Sequence, residues 1–161
     1  MESTSTERRD ELFDTARDIR KIELADYYRA DEETFSAWKQ GRKVDLEGWR
    51  NDLRQMTDAG RTWQRIKIVS EPLSDYQKMS LEIAVPEEDL RWLPRRLVSA
   101  VPLPGNDCFI FDSKIVAFNV LDGTGNRTEI QLTEDAQIVR FCVEAFSRAW
   151  GLAIPNGRYN P

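Results

Sequence analysis

The chain has 161 residues, a length that suits one hydrophobic core, and its 40% hydrophobic and 32% charged residues give a globular rather than a disordered composition. A formal net charge of −5 excludes a broad surface for nucleic acid or an anionic membrane, so any link to DNA is expected to run through a partner. The chain has no histidine, which removes the commonest general base and the commonest metal ligand, and no cofactor is expected.

Residues 1–7 read as a disordered start. Leu12, Phe13, Ala16 and Ile19 then recur at helical spacing and predict a helix over about 8–20. Ile22-Glu-Leu24 reads as a short strand. Asp31 is placed to cap a helix carrying Phe35 and Trp38, with Glu32 and Glu33 in its first turn and Gly41 as its stop. Leu46, Trp49, Leu53 and Met56 mark the apolar face of a further helix ending at Ala59-Gly60.

The segment Trp63 to Val69 alternates as a strand, Ile66 and Ile68 to one side, Arg65 and Lys67 to the other. It runs into the polar bend Ser70-Glu-Pro-Leu-Ser-Asp-Tyr76. In α/β proteins the carboxyl ends of strands are where ligands and partners meet the sheet, which makes this bend the first candidate site. A helical stretch over Leu73 to Ile83, a strand over Asp89 to Leu93 closed by Pro94, and an irregular segment from Arg95 to Asn106 follow.

Three strands, Cys108 to Asp112, Ile115 to Leu121 and Thr128 to Leu132, joined by Asp-Ser-Lys and Asp-Gly-Thr-Gly-Asn turns, predict an antiparallel meander. A long helix opens at Thr133-Glu-Asp135, with Ile138, Cys142, Ala145, Ala149 and Leu152 as its inward stripe. The expected architecture is α/β (α+β): residues 8–155 form a single domain, a mixed sheet covered by helices on at least one face. Residues 156–161 form an exposed tail.

Cys108 and Cys142 sit in apolar settings with no C-x-x-C spacing, and are expected to be buried free thiols. No apolar run reaches the ~18 residues of a membrane span and no charged-then-apolar leader follows Met1, so a cytoplasmic protein is expected.

Glu71, Asp75 and Tyr76, with the Ser70 and Ser74 hydroxyls, form a polar candidate site at the strand end. The same residues also fit a capped turn, with Ser74 or Asp75 bonding local amides and Pro72 fixing φ. Arg65, Lys67 and Arg91 would make a basic strip on neighbouring strands, able to hold a phosphate, a carboxylate or a partner's acidic patch, or else a structural ion network with Glu71, Asp75 or Asp112. Asp112 would orient an arginine of that strip or simply start a turn. Trp92 is one of five tryptophans, a residue type that anchors cores and interfaces. The acidic run Glu87-Glu88-Asp89 reads as a solvated face.

Val69-Ser-Glu-Pro-Leu-Ser-Asp-Tyr76, Arg91-Trp-Leu-Pro94 and Pro104-Gly-Asn-Asp-Cys-Phe-Ile-Phe-Asp112 together resemble an actinobacterial family of unknown function. The likeness runs from about Phe13 to Pro155, and this chain is shorter than its relatives between Tyr76 and Arg91. Genes of that family commonly lie beside helix-turn-helix regulators, which implies a regulatory role with such a partner. A weaker likeness is to half of a phospholipase D-type domain. Active members carry H-x-K-x4-D in a hairpin, where the comparable segment here is Phe111-Asp-Ser-Lys-Ile-Val-Ala-Phe118. That resemblance implies a degenerate scaffold whose covalent chemistry is gone.

Three functional expectations result. The first is a non-catalytic regulatory protein that docks a helix-turn-helix regulator through Glu71, Ser74, Asp75, Tyr76, Arg91 and neighbouring residues. The second is a sensor of a small anionic ligand, a nucleotide or phosphorylated metabolite, gripped by Arg65, Lys67 and Arg91. The third is an enzyme that works without histidine, through Glu71, Asp75 and Tyr76.

Overall fold

Lys21-Ile22-Glu23 and Arg65-Ile66-Lys67 carry the same alternation, and the fold sets them side by side at the centre of its sheet. The computed structural model describes residues 1–161. In chain order the elements are β1 (Glu2–Thr4), α1 (Thr6–Thr15), β2 (Asp18–Glu23), α2 (Glu32–Lys39), α3 (Glu47–Asp58), β3 (Thr62–Val69), α4 (Asp75–Glu82) and β4 (Asp89–Pro94). Then come β5 (Asp107–Phe111), β6 (Ile115–Leu121), β7 (Arg127–Thr133), α5 (Ala136–Leu152) and the two-residue β8 (Ile154–Pro155).

All eight strands join one mixed sheet in the order β1-β7-β6-β5-β2-β3-β4-β8. β2, β3 and β4 are parallel, and β5, β6 and β7 form the expected antiparallel meander. β2 is the seam, parallel to β3 on one side and antiparallel to β5 on the other. The three-residue connection between β5 and β6 puts Asp112 and Ser113 at φ of 52° and 54°, a left-handed pair closed by the Lys114 N–H donating to the Phe111 carbonyl at 2.9 Å.

Helices cover both faces. Toward α5, Ile22, Ile66, Ile68, Leu93, Cys108 and Ile110 pack against Val139, Cys142, Phe146 and Ala149. Toward α1 and α3, Ile19, Phe109, Phe111 and Ala117 meet Leu12 and Ala16, with Phe13, Met56 and Trp63 closing the edge. A third apolar group, Val69, Leu73, Leu90, Trp92 and Tyr159, lies beside α4. Cys108 and Cys142 are buried free thiols on the α5 face.

Five local expectations need correction. Residues 2–4 are not disordered: they add to the free edge of β7, where Glu2 lies opposite Leu132. The first helix ends at Thr15, and Ile19 belongs to β2, because hydrogen bonding on both strand edges outweighs the helical spacing of one residue. In α5 the inward stripe is Val139, Cys142, Ala145, Phe146 and Ala149, while Leu152 is 46% exposed. The end of the chain is no tail, since β8 pairs with β4 and the Tyr159 ring stacks on Trp92 at 5.4 Å between centroids. Glu88 is only 7% exposed, so the acidic run is not wholly a solvated face.

Candidate functional site

Parallel pairing of β2 and β3 sets Lys21 beside Arg65 and Glu23 beside Lys67. Strand periodicity turns all four side chains to the face beneath α2, α3 and α4. There they form an ionic network inside the protein, with Glu23 and Lys67 each 3% exposed. Lys67 Nζ donates to Glu23 Oε2 at 2.7 Å, and Lys21 Nζ lies 2.5 Å from Glu23 Oε1. Arg65 bridges two carboxylates: Nη1 stands 3.6 Å from Glu23, and Nη2 donates to Glu88 Oε2 at 2.7 Å. The other oxygen of Glu88 accepts from the Trp63 indole at 2.8 Å.

Aromatic rings enclose the cluster. Lys67 Nζ lies 5.5 Å and 5.7 Å from the ring centroids of Tyr28 and Tyr76, near enough for cation–π attraction. The Tyr76 hydroxyl donates to Asp31, which therefore serves this contact and does not cap α2 with its side chain.

These neighbours set the ionisation of each group. Burial alone would raise the Glu23 carboxyl, but Lys21, Lys67 and Arg65 together hold it well below the usual carboxylate range. Burial lowers Lys67 from the usual ammonium range, with Glu23 opposing. For Arg65 burial also acts downward, yet Glu88 and Glu23 outweigh it and keep the guanidinium firmly charged. Burial, then Asp31, pushes the Tyr76 phenol up, so it is a hydrogen-bond donor at neutral pH.

A cavity of about 220 Å³ opens onto this network, walled by Arg65 and Lys67 from the sheet and by Trp49, Tyr76, Met79 and Ile83 from the helices. The Arg65 Nε is buried without a hydrogen-bond partner. No group of three or more His, Cys, Asp or Glu side chains is gathered in a metal-holding arrangement.

The other residues singled out in the sequence fall at three further places. Arg91 is on the neighbouring strand of Arg65, but the register pairs it with Ile66 and turns it to the opposite face. There its guanidinium covers the Trp150 ring at 4.0 Å and Nη1 donates to the Trp150 carbonyl at 3.1 Å. Trp92 is sealed in the core, its indole N–H donating to Asn156 Oδ1 at 2.7 Å. Asp112 lies at the far end of the sheet and accepts the backbone N–H groups of Arg17 and Asp18 at 2.9 Å and 2.8 Å. The basic strip of three therefore does not form, Asp112 orients no arginine, and the ion network uses Glu23 and Glu88 in place of Glu71, Asp75 or Asp112. Lys114 of the hairpin compared with the phospholipase D motif is exposed, also at that far end.

The bend after β3 divides between structure and surface. Ser70 donates from both its N–H and its hydroxyl to Asp26, at 2.8 Å and 2.5 Å. Ser74 caps α4 by accepting from the Gln77 N–H at 3.2 Å. Glu71 accepts from Arg96 Nε at 3.1 Å and from the Tyr159 hydroxyl at 3.0 Å. Asp75 is exposed and pairs with Lys78 one turn along the helix. Beside the bend runs a groove of about 710 Å³, with Pro72, Leu73 and Leu81 along it and Glu71, Lys78 and Arg96 among its charged borders.

Sequence reasoning missed Glu23, Lys21, Glu88 and Tyr28. A signal was present for the first two: Lys-Ile-Glu alternates as Arg-Ile-Lys does, and on the adjacent parallel strand Glu23 supplies the one negative charge, opposite Lys67.

No helix is long and apolar enough to cross a membrane. No curated protein matches the chain significantly. Among solved structures, NucT from Helicobacter pylori is similar at 13% sequence identity and a TM-score of 0.47, over 96% of this chain and 96% of that one. So distant a likeness carries no conclusion about chemistry. Residues 7–161 match a family defined as a domain of unknown function, and the chain belongs to that family, DUF6879.

Proposed function

We propose that the chain is a non-catalytic regulatory protein that binds a partner protein at the carboxyl ends of β3 and β4, the partner being a helix-turn-helix transcriptional regulator. The observation that carries this reading is the groove beside the 70–76 bend. Its Pro72 and Leu81 surface offers apolar contact beside the buried Leu73, and Glu71, Lys78 and Arg96 supply charged borders. An apolar centre with a polar rim is the usual anatomy of a protein interface. The acidic chain suits a partner that is itself basic where it meets DNA. The absence of histidine, the commonest general base, supports the non-catalytic half of the reading.

The test is co-elution of the purified chain with a purified helix-turn-helix regulator of the same organism, at micromolar concentrations. A complex is expected, weakened about tenfold or more by Leu81→Glu at the centre of the groove. Two folded proteins that elute separately would overturn the proposal.

A further inference from the structure

The cavity over Arg65 and Lys67 is a partly open pocket on the other side of α4 from the partner groove. Its inner wall holds more hydrogen-bond donors than the protein supplies with acceptors. Of the five N–H bonds of Arg65, the one on Nε has no partner, and Nη1 reaches only a 3.6 Å ionic contact. Lys67 uses one of its three N–H bonds on Glu23. Both oxygens of Glu23 are taken by Lys21 and Lys67, and both oxygens of Glu88 by Trp63 and Arg65. In the connected network three cations, Lys21, Arg65 and Lys67, therefore face two carboxylates. Buried polar groups are rarely left unmatched, and a guanidinium less so than most.

We infer that this cavity is a binding site for a small organic monocarboxylate with an apolar body, its carboxylate accepting from Arg65 and Lys67 and its body lying against Trp49, Met79 and Ile83. Three observations fix the class. A carboxylate suits the unused donors, because they belong to two cations. A single charge suits the site better than two, because the Asp31 and Glu88 carboxylates line the same cavity and would repel a phosphate dianion more strongly. The ligand must be small, because about 220 Å³ is space for roughly seven waters at liquid density, which suits an acid of about six to nine heavy atoms and not a nucleotide. A pocket walled by apolar and aromatic side chains with a few convergent polar groups is the ordinary form of such a site. The inference does not depend on partner docking, since it is read on the isolated chain.

Thermal unfolding of the full chain with isovalerate or benzoate tests it, against benzamide and inorganic phosphate at the same concentration. Either acid at about ten times its Kd is expected to raise Tm by about 3 °C, with no response to benzamide or phosphate. Ala84→Leu narrows the cavity without changing charge and is expected to abolish the response. Arg65→Gln is expected to weaken binding at least tenfold in titration calorimetry. If that variant does not fold, Ala84→Leu decides alone. No response to either acid, a response to phosphate or benzamide equal to that of the acids, or an undiminished response in Ala84→Leu would overturn the assignment.

Discussion

The two faces of the sheet are made from alternate residues of the same strands, yet at β3 they bury opposite chemistries. Toward α5, β3 presents Ile66 and Ile68 to an unbroken apolar layer. Toward α2, α3 and α4 it presents Arg65 and Lys67 to Glu88 and Glu23. Apolar burial stabilises at about 25 cal/mol per Å², whereas the attraction within a buried ion pair does little more than offset the cost of drying its two charges. Along β3, burial therefore stabilises chiefly through the α5 face. The ionic face contributes mainly through what its charges require of one another, and any loss there is a loss of pairing.

The largest expected effect breaks that pairing. Glu23→Leu leaves Lys21, Arg65 and Lys67 facing one another, and should cost about 3–5 kcal/mol in urea unfolding. Adding Lys67→Met should return a measurable part of the loss, as coupled neighbours do. If the two costs simply add, the ionic face behaves as independent groups. Phe146→Ala on the α5 face should cost a similar ~3–5 kcal/mol, through cavity formation alone.

Acid separates the two faces further. The Glu23 carboxyl is depressed in the folded protein, so the unfolded chain binds its proton more readily as pH falls. Its stabilisation is complete above the unfolded carboxyl value of about 4.3 and is lost as pH drops from there through the folded value. Lys67 is lowered on folding, so its contribution to stability rises with pH only between its folded and unfolded values, on the alkaline side. Urea midpoints measured from about pH 5 downward should therefore fall less steeply in Glu23→Leu than in the parent, and as steeply as the parent in Phe146→Ala.

Smaller changes sharpen the contrast. Trp63→Phe removes the indole donor to Glu88 and leaves a buried carboxylate oxygen short of a partner, at about 1–3 kcal/mol. Ile68→Val, on the opposite face of the same strand, removes one methylene at about 0.5–1.5 kcal/mol and should leave the pH dependence as it was. A cost for Trp63→Phe no larger than that of Ile68→Val would remove the distinction.

The same contrast explains how far the sequence could be read. Ile66 and Ile68, the meander with its Asp-Ser-Lys turn, and the helix capped at Asp135 follow from local pattern, because each is decided by residues close in the chain. The network was legible only in half. Arg65 and Lys67 stand out in β3, but their partners depend on which strand lies alongside and in what register. Glu88 reads as one charge in a polar run, and only its approach to Trp63 and Arg65 shows it to be buried. Arg91 failed as a site residue for a related reason: the strip required its strand to adjoin that of Arg65, which it does, but a one-residue offset in register chose the other face.

The seam at β2 bears on the route by which the chain reaches this structure. The hairpins of β5, β6 and β7 close short loops, so that half can assemble early and cheaply in entropy. β2 must instead find β5 far along the chain, as the contact between Asp18 and Asp112 across 94 positions illustrates. Refolding should accordingly be limited by capture of β2 onto a preformed hairpin layer. Destabilising substitutions within the meander should slow folding itself, whereas those in β8 should chiefly hasten unfolding.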